Sequence, residues 1–186
     1  MKKKVYLYDD HSKGARILEF AVEVAVVVVF GLFLAHFLFF NTNNSSKAME
    51  PTIRQDSVVF TERILYSFKA PERFDVVAFC RTAEDQSGDI LIRRIIALPG
   101  ETIRIYRGTV YIDGEELPVG AYLSEITSDG TATEIRLNAN EYFVMGDMPA
   151  NSEDSRSSTV GIVRKSQIIG KAWLYATSIT ELRLIR

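Results

Sequence analysis

The chain has 186 residues, 47% of them hydrophobic and 25% charged, with a formal net charge of −2. That size suits one domain, or a compact domain with an appendage, and the near-neutral balance lacks the clustered basic excess of a nucleic-acid binder. One cysteine excludes an intramolecular disulfide and a structural zinc site built on two thiolates. The only two histidines, His11 and His36, precede the bulk of the chain, so beyond them a histidine-based triad, dyad or zinc site is excluded. Hydrolytic chemistry there must take its base from lysine or a carboxylate.

Lys2, Lys3, Lys4, Lys13 and Arg16 precede an apolar run from Ile17 to Phe40. About 20 residues at 1.5 Å each cross a ~30 Å hydrocarbon core, so 17–40 is expected to be a transmembrane anchor. The positive-inside tendency keeps residues 1–16 as a cytoplasmic tail and exports 41–186. Phe39, Phe40 and Asn41 make a poor signal-peptide cleavage site, which predicts an uncleaved anchor. Glu19 and Glu23 share one helical face near the entry interface. They, like His36, either reach the headgroup region or meet a partner helix.

Residues 41–45, Asn-Thr-Asn-Asn-Ser, read as a polar linker. Beyond them the pattern is strand-rich, with strands expected at Ser57–Arg63, Asp75–Phe79, Thr102–Tyr106, Thr109–Ile112, Glu141–Met145 and Ile168–Tyr175. Arg107-Gly108 suits a two-residue hairpin turn and Asp113-Gly114 a second turn. Cys80 is expected at a strand end as a small half-buried side chain. The weakly patterned stretch 115–140 is expected to be an insertion or a small β subdomain.

Three segments carry the chemistry. They are Ser46-Lys47-Ala48-Met49-Glu50-Pro51-Thr52, then Arg93-Arg94-Ile95-Ile96-Ala97-Leu98-Pro99-Gly100-Glu101, then Gly146-Asp147 followed by Asn151-Ser152-Glu153-Asp154-Ser155-Arg156. In this order, behind an apolar anchor, they resemble the boxes of bacterial type I signal peptidases, S-x-S-M-x-P-T, K-R-V-I-G-L-P-G-D/E and G-D-N-x-x-N-S-x-D-S-R. Asp75–Phe79, Gly108–Gly114 and Ile168–Ala172 resemble further strands of that family, so the resemblance runs from Ile17 to about Trp173. It implies a mostly β, signal-peptidase-like antiparallel sheet domain with short helices, tethered by one N-terminal transmembrane helix. It also implies a single-pass protein of the cell membrane, of Gram-positive type. Its partners would be the lipid bilayer and signal-peptide-bearing or other exported proteins, pilins among them, with no cofactor, metal or nucleic acid.

In the family a serine attacks the scissile carbonyl and a neutral lysine, its pKa depressed by burial, takes the proton. The boxes put the nucleophile at position 48 and the base at position 93, where this chain has Ala48 and Arg93. Alanine has no oxygen to acylate, and arginine does not release its proton in a protein. Other roles carry over: Ser46 to the oxyanion hole with the backbone N–H of position 48, and Ser152 to the orientation of the base. Asp147, Arg94, Asp154 and Arg156 carry over to bracing, and Met49 and Pro51 to the shape of the turn. Met148-Pro149 replaces the usual Asn-Arg, and two extra residues lie between Arg156 and Gly161. A dyad of Ser46 with Lys69, Lys165 or Lys171 would need a rearranged site. Two readings stay open. One is a naturally dyad-lacking homologue, similar to signal-peptidase-like accessory proteins of pilus assembly; the other is an active signal peptidase in which Ala48 and Arg93 are engineered replacements of the catalytic serine and lysine.

Overall fold

The computed structural model describes residues 13–81, 89–126, 133–178 and 180–185. The chain divides into two compact units, Met1–Leu38 and Phe39–Arg186. The first is built on helix α1, Lys13–Leu38. Val26 to Val29 are β-branched and individually poor helix formers, yet a helix closes its backbone hydrogen bonds within itself, which a lone strand cannot do. Its apolar side chains are exposed, Ile17, Phe20, Val27 and Phe33 among them. Among the described residues no helix is long and apolar enough to cross a membrane. The expectations for residues 1–12 and for the His36 side chain fall outside the described residues.

The second unit begins with a strand. The linker expected at 41–45 is mostly strand: β1, Phe39–Asn44, pairs antiparallel with β2, Ser57–Glu62, in register from Phe39–Glu62 to Asn44–Ser57. Asparagine is a weak strand former, but pairing is made by the main chain, and a ready partner strand overrides propensity. Asn44 Nδ2 also donates to the Arg54 carbonyl at 3.1 Å, fixing the end of the hairpin.

A short helix α2, Leu65–Phe68, precedes strands β3 (Val76–Cys80) and β4 (Ile90–Ala97). Then come β5 (Thr102–Tyr106), β6 (Thr109–Ile112), β7 (Glu115–Glu116), β8 (Thr133–Arg136) and β9 (Glu141–Met145). The described chain closes with β10 (Val163–Arg164), β11 (Ile168–Ser178) and β12 (Glu181–Leu184). The larger sheet runs β1-β2-β11-β3-β4-β9-β10, with β12 also on β11; the smaller runs β7-β6-β5-β8. The described pairings are antiparallel.

All six expected strands form, β5, β6 and β9 with the expected ends and β2, β3 and β11 with ends displaced by one to three residues. β4 lies outside them because Arg93 and Arg94 break its apolar run, although both arginines are buried. Of the stretch 115–140, expected to be an insertion or a small β subdomain, β7 and β8 join the smaller sheet, whose central hairpin is β5–β6. Cys80 is 1% exposed rather than half-buried, because β3 is covered along its whole length.

Two apolar clusters position the site. Met49 and Ile53 pack with Val59, Val76, Ala78, Ile92, Ala172 and Tyr175, which pins the segment after Ala48 to the large sheet. Ile96, Ala97, Phe143 and Met145 pack with Ile103, Val110, Leu123 and Ile126, which joins the small sheet to the ends of β4 and β9.

β11 changes neighbours along its length, pairing with β3 through Ile168–Lys171 and with β2 from Lys171 onward, with an irregularity in register beside Gly170. A Cβ at Gly170 would lie 2.8 Å from the Glu62 carbonyl carbon and closer still to its oxygen, so no side chain fits there. Gly170→Ala is therefore expected to destabilise the protein by roughly 1–3 kcal/mol, the usual cost of overpacking. The check is a lower denaturation midpoint at unchanged slope.

Candidate active site

The segment leading out of β1 turns tightly. Glu50 N–H donates to the Lys47 carbonyl at 3.1 Å and Ile53 N–H to the Met49 carbonyl at 2.7 Å. The Glu50–Pro51 peptide is cis. Ala48 is fully buried, and its main chain is held on both sides: its N–H donates to Ser46 Oγ at 3.0 Å, and its carbonyl accepts the Met148 N–H at 2.9 Å. Ser46 and the N–H of position 48, the two donors assigned to an oxyanion hole, are thus bonded to each other.

The loop after β9 is built around a close approach. A Cβ on Gly146 would stand 2.6 Å from the Ala48 carbonyl oxygen and nearer still to Ser152 Oγ. Only glycine lets these three positions meet, and the contact brings Ser152 beside the main chain of Ala48. The loop is tied down by Asp154, which is fully buried. Asp154 accepts the Gly146 N–H at 3.1 Å and a two-pronged contact from Arg156, Nε to Oδ1 at 2.8 Å and Nη2 to Oδ2 at 2.9 Å. Arg156 Nη2 donates also to the Pro149 carbonyl at 2.6 Å. Charge-assisted, bidentate contacts of this kind are the strongest ordinary hydrogen bonds.

Arg94 and Asp147 make a second fork, Nε to Oδ1 at 2.9 Å and Nη2 to Oδ2 at 2.6 Å, with both side chains essentially inaccessible. Arg94 Nη1 donates to the Phe74 carbonyl at 2.9 Å, and the guanidinium lies 4.6 Å from the Tyr122 ring centroid. Tyr122 in turn stacks on Phe74. Thr52 Oγ1 donates to Asp147 Oδ2, so the first and third boxes are bonded directly. Sequence reasoning assigned no role to Thr52 or Tyr122. The box containing Thr52 was a usable signal; nothing local singled out Tyr122.

Arg93, next along β4, is 2% exposed and meets different partners. Its Nε donates to the Glu153 carbonyl at 2.8 Å and its Nη1 to the neighbouring Ile92 carbonyl at 2.6 Å. Neither partner is a carboxylate. Burial pulls the guanidinium down to about 10, against the opposing pull of Asp154 and Glu153, while Arg81 and Arg156 push the same way as burial. It stays charged at neutral pH. Arg81 pairs with Glu153 at 2.7 Å, and among the described residues its Nε and Ser152 Oγ are buried without hydrogen-bond partners.

The alternative lysines are otherwise engaged or exposed. Lys171 pairs with Asp75, which also accepts the Tyr66 hydroxyl at 2.9 Å. That burial and the Asp75 charge push the Tyr66 hydroxyl far above its ordinary range. Lys69 pairs with Glu72 at 2.8 Å, and Lys165 is exposed. Of the site residues expected from the sequence, Ser46, Ala48, Asp147, Ser152, Asp154 and Arg156 converge on the Gly146 loop, and Arg93 reaches it through Glu153. Arg94 joins through Asp147, Met49 anchors the turn in the core, and Pro51 sits exposed on its outside.

Against known proteins, residues 17–176 match the family described as signal peptidase, peptidase S26. Signal peptidase I S of Bacillus subtilis is 29% identical over 183 residues, which cover 92% of this chain and 95% of that protein. A probable signal peptidase I-1 of Synechocystis sp. is 32% identical over 152 residues, 79% of this chain and 76% of that one. The crystal structure of a signal peptidase I from Enterococcus faecalis V583 covers 55% of this chain and 97% of its own, at 28% identity and a TM-score of 0.43.

Proposed function

We propose that this chain, which belongs to the peptidase S26 family of signal peptidases, binds signal-peptide-like segments of exported proteins without cutting them. The observation that carries this reading is the residue pair at the two chemical positions. Ala48 offers no nucleophile, and Arg93, though buried, offers a permanent cation where a neutral amine is needed. The rest of the site is kept, with its loop, its two arginine–carboxylate forks and Ser152.

Binding of an extended peptide by strand addition uses main-chain hydrogen bonds and small side-chain pockets, and no step of it calls on a nucleophile. The role is that of a holding or assembly factor at the outer membrane face, with pilus subunits as one class of client. Residues 17–40 serve as the anchor in this proposal, with 1–16 cytoplasmic and 41–186 outside. The support is the apolar sequence, which continues through 34–40, together with exposed apolar side chains along α1 that call for lipid or protein cover.

The test uses the full chain in detergent and a secretory preprotein carrying a photo-crosslinker just before its signal-peptide end. The expected result is a crosslinked adduct with the preprotein intact. Cleavage by the chain as it stands would overturn the proposal, and would point first to Ser46 as nucleophile.

A further inference from the structure

The region around Ser152 and Glu153 has more donors than acceptors. Three guanidinium groups, Arg81, Arg93 and Arg156, face two carboxylates, Glu153 and Asp154. Arg156 takes both oxygens of Asp154, and Arg81 takes Glu153. Arg93 is left with carbonyl partners alone, and its Nη2 makes no hydrogen bond among the described residues. Two further donors there, Ser152 Oγ and Arg81 Nε, are buried and without hydrogen-bond partners among the described residues. Buried polar groups are normally satisfied, and an orphaned donor costs free energy until an acceptor arrives.

From this arrangement we infer that the site prefers a peptide carrying a free C-terminal carboxylate, the end of a chain already cut, over an uncut one, which it holds more weakly. The inference rests on the non-cleaving reading above and names its ligand. An amide carbonyl has one oxygen and no charge. A carboxylate has two oxygens and a full negative charge, which matches a guanidinium fork that stays charged at every physiological pH. The other substitution fits the same ligand: a methyl at position 48 removes the hydroxyl that would crowd a second oxygen. Ser46, half-buried beside exposed Lys47, marks the side from which a chain end enters. On binding, the Ser46–Ala48 hydrogen bond opens and both donors turn to the ligand.

The experiment compares two fluorescein-labelled peptides with the sequence of a signal-peptide end, closing in Ala-x-Ala. One has a free carboxylate and the other a C-terminal amide; a third, longer peptide runs on through the junction. Binding to the full detergent-solubilised chain is read by anisotropy. The free acid is expected to bind at least ~10-fold more tightly than the amide, the usual margin of a charge-assisted contact. Arg93→Gln removes that margin, and Arg93→Lys keeps part of it. Equal binding of acid and amide would overturn the carboxylate inference and leave peptide binding intact. Failure of all three peptides to bind would overturn both. Because the acid–amide comparison is made on the unaltered protein, it stands even if a variant does not fold.

Discussion

Ala48→Ser combined with Arg93→Lys is expected to yield a chain that cuts secretory preproteins, with at least ~10³-fold more cleavage than either single variant. Members of a nucleophile–base unit act together, so restoring one alone gives little. Ala48→Ser alone places a hydroxyl beside a cation that cannot take its proton, and Arg93→Lys alone supplies a base with nothing to activate. The surroundings favour the pair. Ser152 Oγ lacks a hydrogen-bond partner among the described residues and is placed to orient an amine. The burial that already pulls the Arg93 guanidinium to about 10 acts more usefully on an amine, whose ordinary pKa is about 10.4. Desolvation disfavours its charged form and moves it toward neutrality.

The pH dependence follows in sign. The neutral amine is the base, so cleavage by the double variant rises as pH climbs through the lysine's lowered pKa and fades below it. Its folding stability rises across the same window, because the unfolded chain holds that proton more tightly than the folded one. A folded double variant that cleaves no preprotein at any pH would mean that positions 48 and 93 do not face each other productively.

Asp147→Asn is expected to cost roughly 3–5 kcal/mol of stability, the usual price of leaving a buried charge without its partner. Both members of the Arg94–Asp147 pair are inaccessible, and Asp147 also accepts from Thr52. Removing its charge takes from the Arg94 guanidinium its two-pronged carboxylate contact, while its contacts to the Phe74 carbonyl, Thr52 and the face of Tyr122 remain. Replacing both partners, as in Arg94→Met with Asp147→Leu, is expected to cost less than the single change, because no orphaned charge remains. Denaturant titration of the three proteins decides it; a single variant as stable as the parent would show that the pair is not what holds the loop after β9.

Much of this was legible in the sequence, for identifiable reasons. Alternating apolar residues and glycine-bearing turns located the β5–β6 hairpin, and the three boxes contain Ser46, Ala48, Ser152, Asp154 and Arg156, which meet around Gly146. β4 escaped because its defining feature, two adjacent buried arginines, looks like a surface signal in one dimension. It becomes core only when Asp147 and Glu153 arrive from far along the chain. β1 escaped for a related reason: its asparagines say linker, and only the partner strand β2 makes them strand. The mutual bond between Ser46 and Ala48 is likewise a matter of conformation, since the same residues spell an oxyanion hole in the family pattern.

The two arginine–carboxylate forks have an evolutionary corollary. One ties the loop after β9 to β4 and the other braces that loop from within, so losing either harms folding whether or not the protein catalyses anything. Selection for a folded chain would be enough to keep Arg94, Asp147, Asp154 and Arg156 in place even in a lineage that had lost the chemistry. Positions 48 and 93 are under no such obligation, since a methyl and a guanidinium both fit. In such a lineage the motifs decay from the chemical centre outward, and an ancestor's catalytic signature outlives its activity.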